Sequence, residues 1–439
     1  MLYHSTRGLD NSKNFSEVLH AGLAGDGGLF VPKFIPQLNQ KILNQWRHLS
    51  YEELALEIIS LFSGDCFSRA ELSEIVNKSY SGFHHELKSP LIKLEDNHYF
   101  LELFHGPTLA FKDIGAKFMA QCLDYFKSSY SSKKITVLVA TSGDTGGAVA
   151  KGFSGTKDIE VCILYPKGKI SKVQERQITT NGDYVKAIEV EGDFDKCQSM
   201  VKKAFNDEEI IRKIALTSAN SINVARWLPQ MFYYFLAYKK INNKKDNLFS
   251  VPSGNFGNIC AGILSKSMGL PIHHFIASTN ANDTIPRYIK EGLYEPHSTK
   301  KTISNAMDVS DPSNFIRIQK IFNSDLQRLR KNVSSFSFND TETEDVMRLL
   351  YNSFDYLTCP HSAVGYLGLK KYMDVNKISN VNGIFISTAH CIKFKDVVEN
   401  SIKTSIKYPK SIKDILNKEK KSLSIENYSE LKDFLLSRV

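Results

Sequence analysis

The spacing of apolar positions along this 439-residue chain changes character once, near residue 95. Before that point, stretches such as Tyr51 to Phe62 and Arg69 to Tyr80 repeat apolar side chains at the period of an amphipathic helix. Gly25-Asp26-Gly27-Gly28 marks a turn between short apolar segments. Residues 1–95 therefore read as a helical extension that contains no obvious chemistry. From about Tyr99 the texture becomes short β-rich runs: Ile135 to Ala140, Ile159 to Leu164, Val185 to Val190, Leu248 to Val251, His274 to Ala277 and Ile384 to Ser387. Most are separated by one plausible helix. That alternation predicts an α/β fold with largely parallel sheets. Asp113 suits the cap of a helix carrying Ile114, Phe118, Cys122 and Phe126 on one face, with Lys112 at its start. The Ser/Lys-rich turn Ser128 to Lys134 and the region Asp207 to Lys213 are candidate boundaries. They suggest a small α/β domain over 113–207 within a large one over 96–112 and 208–439.

Composition narrows the class. At 42% hydrophobic the chain can fill two or three ordinary cores. No run approaches the roughly 18 apolar residues of a membrane span, and Met1 to Asp10 lacks the apolar stretch of a signal peptide, so a soluble cytoplasmic protein is expected. The seven cysteines are scattered, odd in number and without a C-x-x-C pair, which suggests neither a zinc site nor a disulfide framework. A net charge of +9 raises the question of an anionic partner. The excess is diffuse, and its densest patch, Lys410 to Lys421, lacks aromatic interleaving and any nucleic-acid motif. A solvated helix or tail is the plainer reading, and no nucleic-acid or membrane partner is expected.

Four segments carry candidate chemistry. His105-Gly106-Pro107-Thr108-Leu109-Ala110-Phe111-Lys112-Asp113 is an apolar approach to one lysine. Burial there would favour the neutral amine, the form that attacks a carbonyl, which makes Lys112 a Schiff-base candidate. Thr141-Ser142-Gly143-Asp144-Thr145-Gly146-Gly147-Ala148 runs from a strand into a helix and leaves backbone N–H groups free for a carboxylate or phosphate. It is neither a Walker A loop nor a dinucleotide fingerprint. Ser253-Gly254-Asn255-Phe256-Gly257-Asn258 precedes a helix that begins near Ile259, and its two glycines let the backbone approach a phosphate. Ser387-Thr388-Ala389-His390 closes a strand, where open α/β sheets bind ligands. Asn223 and Arg226, three apart on an expected helix, would share a face and could reach one anion.

In their order and context these segments resemble the threonine synthases, pyridoxal-phosphate enzymes of the tryptophan-synthase-β structural group (fold type II), and in particular the bacterial and fungal branch with a long N-terminal extension. The likeness begins at Tyr3, takes in Gly25 to Pro32, Asn282 to Arg287 and Ser304 to Asp308, and reaches Lys393-Phe394. It implies two open, largely parallel α/β lobes and the cofactor pyridoxal 5'-phosphate, held by Lys112 as a Schiff base. Gly254, Asn255, Phe256, Gly257 and Asn258 would bind the cofactor phosphate, and Thr388 the pyridine nitrogen. Ser142, Gly143, Asp144 and Thr145 would hold the substrate's carboxylate, with Asn223 and Arg226 helping with its phosphate. No metal is implied. The implied reaction turns O-phospho-L-homoserine and water into L-threonine and phosphate. The rival in the same chemistry is a dehydratase or phospho-lyase releasing 2-ketobutyrate, and a rival of another class is a catalytically silent RNA-binding protein. Monomer and homodimer both stay open. Three positions depart from the family pattern: Cys359 replaces an acid before Pro-His, Cys391 a proline after Thr-Ala-His, and Asn258 an aspartate of the phosphate loop.

Overall fold

The computed structural model describes all residues except 96, 131–133, 157, 242–244 and 439, with the main chain only at 128–130. Its strands, in chain order, are β1 (Tyr3–Ser5), β2 (Phe30–Pro32), β3 (Leu91–Glu95), β4 (His98–Glu102), β5 (Ile135–Ala140), β6 (Ile159–Pro166) and β7 (Val185–Val190), followed by β8 (Ala215–Thr217), β9 (Asp246–Pro252), β10 (His274–Thr279), β11 (Val333–Ser337), β12 (Val381–Ser387) and β13 (Leu423–Ile425). The six β-rich runs read from the sequence lie within β5, β6, β7, β9, β10 and β12.

These strands form two larger sheets and one small ribbon. One sheet has the order β11-β10-β9-β12-β4-β3, parallel except for the β3–β4 pair; the other, β13-β7-β6-β5-β8, is parallel throughout. β5, β6 and β12 are buried at every position, inward and outward alike, which is what helices on both faces of a parallel sheet require. This is the expected mixture of two α/β lobes.

In each sheet the chain order reverses at one point. In the larger sheet β9 leads outward to β10 and β11 on one side and borders β12 on the other; in the smaller sheet β5 leads to β6 and β7 and borders β8. Loops leaving neighbouring strands at such a switch point diverge and leave a crevice at the strands' C-terminal ends. The loops after β5, β8, β9 and β12 are therefore the ones placed to line a site.

The lobes differ from the expected boundaries at both ends. The smaller sheet continues past 207 to take in β8, and it recruits β13 from the C-terminal segment assigned to the large domain. β3, assigned to the extension, pairs with β4 in the larger sheet. The reason for the C-terminal change is charge as well as pairing. Lys420 bonds Glu175 at 2.8 Å and Glu189 at 2.6 Å, Lys432 lies 3.0 Å from both Asp207 and Glu209, and Arg438 lies 2.6 Å from Glu160. The basic end of the chain packs on the smaller lobe and is answered by its carboxylates, so it is not a free tail. Of the expected boundary turn at 128–134, residues 131–133 lie outside the described residues, and the preceding helix runs to Tyr130.

The extension is helical as read, with capping boxes at Ser50/Glu53 and Ser68/Glu71 that start the helices Tyr51–Ser63 and Arg69–Tyr80. It also carries the antiparallel ribbon β1–β2. Its aromatic face packs on the helix Lys112–Tyr130: Tyr80 donates its hydroxyl to the Ile114 carbonyl at 3.1 Å, and Tyr80, Tyr51 and Phe232 meet edge to face. Ile114, Phe118, Cys122 and Phe126 are all buried, as their spacing predicts. Among the described residues no helix is long and apolar enough to cross a membrane, and no group of histidines, cysteines and acids can hold a metal.

Candidate active site

The four strand-end loops meet around one cavity of about 940 Å³ between the lobes, and Lys112 lies in its wall. Of the residues singled out in the sequence, all but Gly143 and Asn223 line it. The lysine arrives there through a short antiparallel bridge between Ala110 and Ala389. Phe111 N donates to the Thr388 carbonyl at 2.8 Å and His390 N to the Leu109 carbonyl at 3.0 Å, which fixes Lys112 and Thr388 beside each other. The helix starts at Lys112, so Asp113 lies inside its first turn and not at the cap position read from the sequence. Asp113, in the first turn, accepts from the Thr108 amide at 2.8 Å and the Thr108 hydroxyl at 2.6 Å, folding the Gly-Pro-Thr turn back beneath it. A Cβ on Gly106 would stand 2.5 Å from an Asp113 oxygen, so only glycine permits that fold.

Burial pushes the Lys112 amine down from 10.5 to about 8; Asp144 opposes the shift, while Arg226 and Lys393 add to it. Its Nζ has no hydrogen-bond partner among the described residues. A lysine at this value spends an appreciable fraction of its time neutral near physiological pH.

The loop after β9 forms a close backbone cradle. Phe256 takes the left-handed conformation at φ 58°, and the helix Gly257–Ser267 opens with no side-chain cap, leaving first-turn N–H groups free. A Cβ on Gly254 would lie 2.7 Å from Met307 Cα, so the loop is pressed against backbone. Asn255 is a brace: its Nδ2 donates to Ser221 Oγ at 3.0 Å and its Oδ1 accepts from Ser313 N at 2.6 Å. Asn258 Oδ1 accepts from the hydroxyls of Tyr233 and Tyr234, both at 2.7 Å, while its Nδ2 is buried without a protein acceptor. A free helix start and an orphaned buried donor fit a phosphate.

The loop after β5 is shaped by Thr141, whose hydroxyl accepts from Gly143 N at 2.9 Å and Gly146 N at 2.8 Å. Gly143, at φ 128°, lies against Gln174, where a Cβ would come within 2.4 Å of the carboxamide; its part is to let the loop bend. Asp144 opens the helix Asp144–Phe153. Burial would raise its carboxyl, but Lys393 at 3.0 Å, with Lys112, His361 and a Gln174 hydrogen bond at 2.9 Å, holds it down to about 2.

Asn223 and Arg226 do not form the pair that their spacing suggested. Asn223 is the N-cap of the helix Val224–Trp227, accepting from Ala225 N at 3.0 Å and donating to the carbonyls of Leu19 at 2.8 Å and Ser218 at 3.1 Å. Its side chain is committed, and only Arg226 reaches the cavity. Arg226 donates to the Lys112 carbonyl at 3.1 Å, keeps a buried Nε without a partner, and is lowered by burial to about 10, so it remains charged at neutral pH. Gly115 lets the two helices touch, since a Cβ there would stand 2.4 Å from the Arg226 carbonyl oxygen.

The chain matches the family profile "Threonine synthase N terminus" over residues 2–80, "Pyridoxal-phosphate dependent enzyme" over 83–385 and "Threonine synthase, C-terminal" over 362–435. It is 44% identical to the threonine synthase of Haemophilus influenzae, covering 91% of this chain and 90% of that one. It is 42% identical to that of Buchnera aphidicola from Acyrthosiphon pisum, over all of both chains. The crystal structure of threonine synthase from Escherichia coli superposes with a TM-score of 0.93 at 37% identity, covering all of both chains. The chain belongs to the threonine synthase family. The PLP-bound threonine synthase of Brucella melitensis superposes at 0.92, with 34% identity, covering 99% of this chain and 98% of that one. A maize serine racemase at 0.55 and 15% identity shares the fold alone. This is a pyridoxal-phosphate-dependent enzyme, and neither the dehydratase nor the RNA-binding reading is favoured.

Within the threonine synthase frame the departures have local explanations. Cys359 sits buried before the helix Pro360–Asn376, its thiol 3.1 Å from Ser362 Oγ, which in turn accepts from Thr388 N at 3.1 Å. Burial pushes that thiol up, so a neutral group stands where the family places an acid. His361 Nε2 accepts from Ala306 N at 3.1 Å, which assigns its proton to Nδ1, and burial keeps the ring neutral at about 4. Cys391 lies 3.7 Å from His390 Nδ1.

The sequence reading missed three contributors. Thr6, Arg7 and the turn at 25–29 bring the extension into the cavity wall. Arg317 and Lys393 are fully buried beneath it. A repeated glycine turn hinted at the first; nothing local marks the other two.

Proposed function

We propose that the enzyme converts O-phospho-L-homoserine and water into L-threonine and phosphate in this cavity. The observation that carries the reading is the convergence of Lys112, the uncapped start of the helix Gly257–Ser267, the loop that opens the helix Asp144–Phe153 and Thr388 on one site in a chain of this family. Lys112 holds the cofactor, the cradle from Gly254 to Asn258 receives its phosphate, and the Thr388 hydroxyl, which makes no hydrogen bond among the described residues, partners its ring nitrogen. Bound pyridoxal phosphate supplies an electron sink for negative charge at the substrate carbons. The amides and hydroxyls of the loop Ser142 to Thr145 receive the substrate's carboxylate, and Arg226 supports its phosphate, with Asn223 setting the helix that carries Arg226.

The reaction takes one proton from Cα and one from Cβ, releases the phosphate from Cγ, returns a proton to Cγ, adds the hydroxyl of water at Cβ and returns a proton to Cα, the remaining proton of water leaving with the phosphate. Lys112 Nζ moves those protons. An amine lowered to about 8 is matched to that work, because it takes and returns a proton near neutral pH. The small lobe narrows the cavity and keeps water out until the last addition. Incubation with O-phosphohomoserine tests this directly: threonine and phosphate in equal amounts are expected, whereas 2-ketobutyrate with phosphate would overturn it.

A further inference from the structure

Asp144 poses a difficulty for the loop that holds it. A carboxylate at the mouth of a carboxylate cradle repels the group that the cradle is meant to hold. We propose that Lys393 resolves this: it is a positioning residue that neutralises Asp144 and turns it aside, so that the loop can accept the carboxylate of an anionic amino acid. The proposal rests on the reading of the cavity as the substrate site.

Lys393 lies on the turn Cys391–Phe394, which follows Thr388-Ala389-His390, and is fully buried. Its ammonium has three donors and three acceptors: Asp144 Oδ1 at 3.0 Å, the Thr108 carbonyl at 2.9 Å and Gln177 Oε1 at 2.8 Å. Those acceptors come from the helix Asp144–Phe153, the segment leading to Lys112, and the small-lobe helix Lys172–Thr179. One cation thus ties both sides of the cavity. Asp144 Oδ1 also accepts from Gln174 at 2.9 Å, so Lys393 and Gln174 together hold that oxygen. Stability does not account for the pair, because two ions taken out of water gain little over well-packed apolar side chains. Its particular effect is the placing of charge. The other groups that act on Asp144 are Lys112 from its helix and His361, held neutral, from the helix Pro360–Asn376; Arg226 acts on Lys112, and the buried Asp113 faces both Lys393 and Arg226. Without Lys393, the carboxylate would face incoming substrate with Lys112 as its one nearby cation, and that amine is taken up by the cofactor.

The test uses holoenzyme of wild type, K393M and D144N/K393M, with initial rates against O-phosphohomoserine from acid to neutral pH. For K393M the visible band of the bound cofactor should persist while KM rises about tenfold or more at neutral pH. That defect should shrink as the pH falls and Asp144 becomes protonated. In D144N/K393M, KM should return toward the wild-type value, whatever kcat does. An unchanged KM in K393M, or a double variant as defective as K393M at every pH, overturns the proposal. Should K393M not fold, the double variant, in which position 144 carries no charge and Asp113 keeps its two Thr108 hydrogen bonds, decides alone: KM near wild type supports the proposal and a tenfold rise refutes it. Failure of the wild type to release phosphate would instead count against the proposed function.

Discussion

Arg317 offers the sharpest test of how the N-terminal extension supports the site. Its guanidinium is fully buried with no carboxylate partner among the described residues. It donates through Nε to the Phe30 carbonyl of β2 at 3.0 Å, through Nη1 to the Ser221 carbonyl at 3.1 Å and Asn314 Oδ1 at 2.8 Å, and through Nη2 to the Ile222 carbonyl at 2.6 Å. The plane lies 4.4 Å over the Trp227 ring. From Asn314 the network continues to Ser221 Oγ at 2.9 Å and the Asn255 carbonyl at 3.1 Å, so it ends in the cradle after β9. Substitution by methionine fills most of the volume but leaves four acceptors without a charged donor. Hydrogen bonds to charged groups are worth about 1.5–3 kcal/mol each, a gross loss of roughly 6–12 kcal/mol. Releasing the buried cation from its desolvation returns several of these, and a net loss of about 3–5 kcal/mol remains. Against a total of roughly 5–15 kcal/mol that is a large fraction. Urea unfolding of R317M should show it as a lower midpoint at unchanged slope. Cofactor titration by visible absorbance should show about tenfold weaker binding, because Asn255 has lost part of its bracing. R317K, with three donors and no planar fork, should fall between. Wild-type midpoint and cofactor affinity in R317M would refute the reasoning, since the extension would then not be coupled to the cradle through this residue.

Other outcomes follow from the site. K112A should fold normally by circular dichroism but lose the visible cofactor band and turnover; near-normal activity would remove Lys112 from its assigned role. Because burial lowers Lys112 to about 8 and the neutral amine is the attacking form, cofactor uptake by apo-protein should quicken through pH 8 and then level, without a further rise toward 10.5. Over the same window the unfolded chain binds the Lys112 proton more tightly than the folded one, so apo-protein stability should gain from rising pH in this interval, and a loss there would contradict the assignment. G254A places a Cβ 2.7 Å from Met307 Cα, and an overpacking cost of about 1–3 kcal/mol should appear mainly as weaker cofactor binding, measured by absorbance titration with urea unfolding as the control.

What could be read from the sequence divides by the range of the interaction responsible. β5, β6 and β12 announce themselves because a strand covered on both faces is apolar throughout, and that composition is local. β13 could not be read: Leu423-Ser424-Ile425 sits in a lysine-rich stretch and becomes a strand only through pairing with β7, more than two hundred residues earlier. The loop after β5 was legible for a similar reason, since Gly143 at φ 128° answers a demand of its own backbone, whereas Gly254 answers the approach of Met307 from a distant segment. The Asn223–Arg226 pair failed because a three-residue spacing puts two side chains on one face only when both lie inside the helix. Here the helix begins at Val224, and Asn223 spends its amide on capping.

Charge shows the same division more severely. Lys112 was recognisable among many cations because its apolar approach is written beside it. Lys393 and Arg317 are fully buried, more so than Lys112 in the cavity wall, yet their neighbours in sequence give no hint, because their partners come from Thr108, Asp144 and Gln177 in one case and Phe30, Ser221 and Ile222 in the other. The C-terminal lysines mislead in the opposite direction. Lys420 and Lys432 look like a free basic surface until Glu175, Glu189, Asp207 and Glu209 are folded against them. The formal excess of +9 therefore says little about partners in this chain. What matters to an anionic substrate is which cations line the cavity, and the fold withdraws Lys393, Arg317 and the C-terminal cluster while leaving Lys112 and Arg226 in its wall together with Arg7 and Lys202.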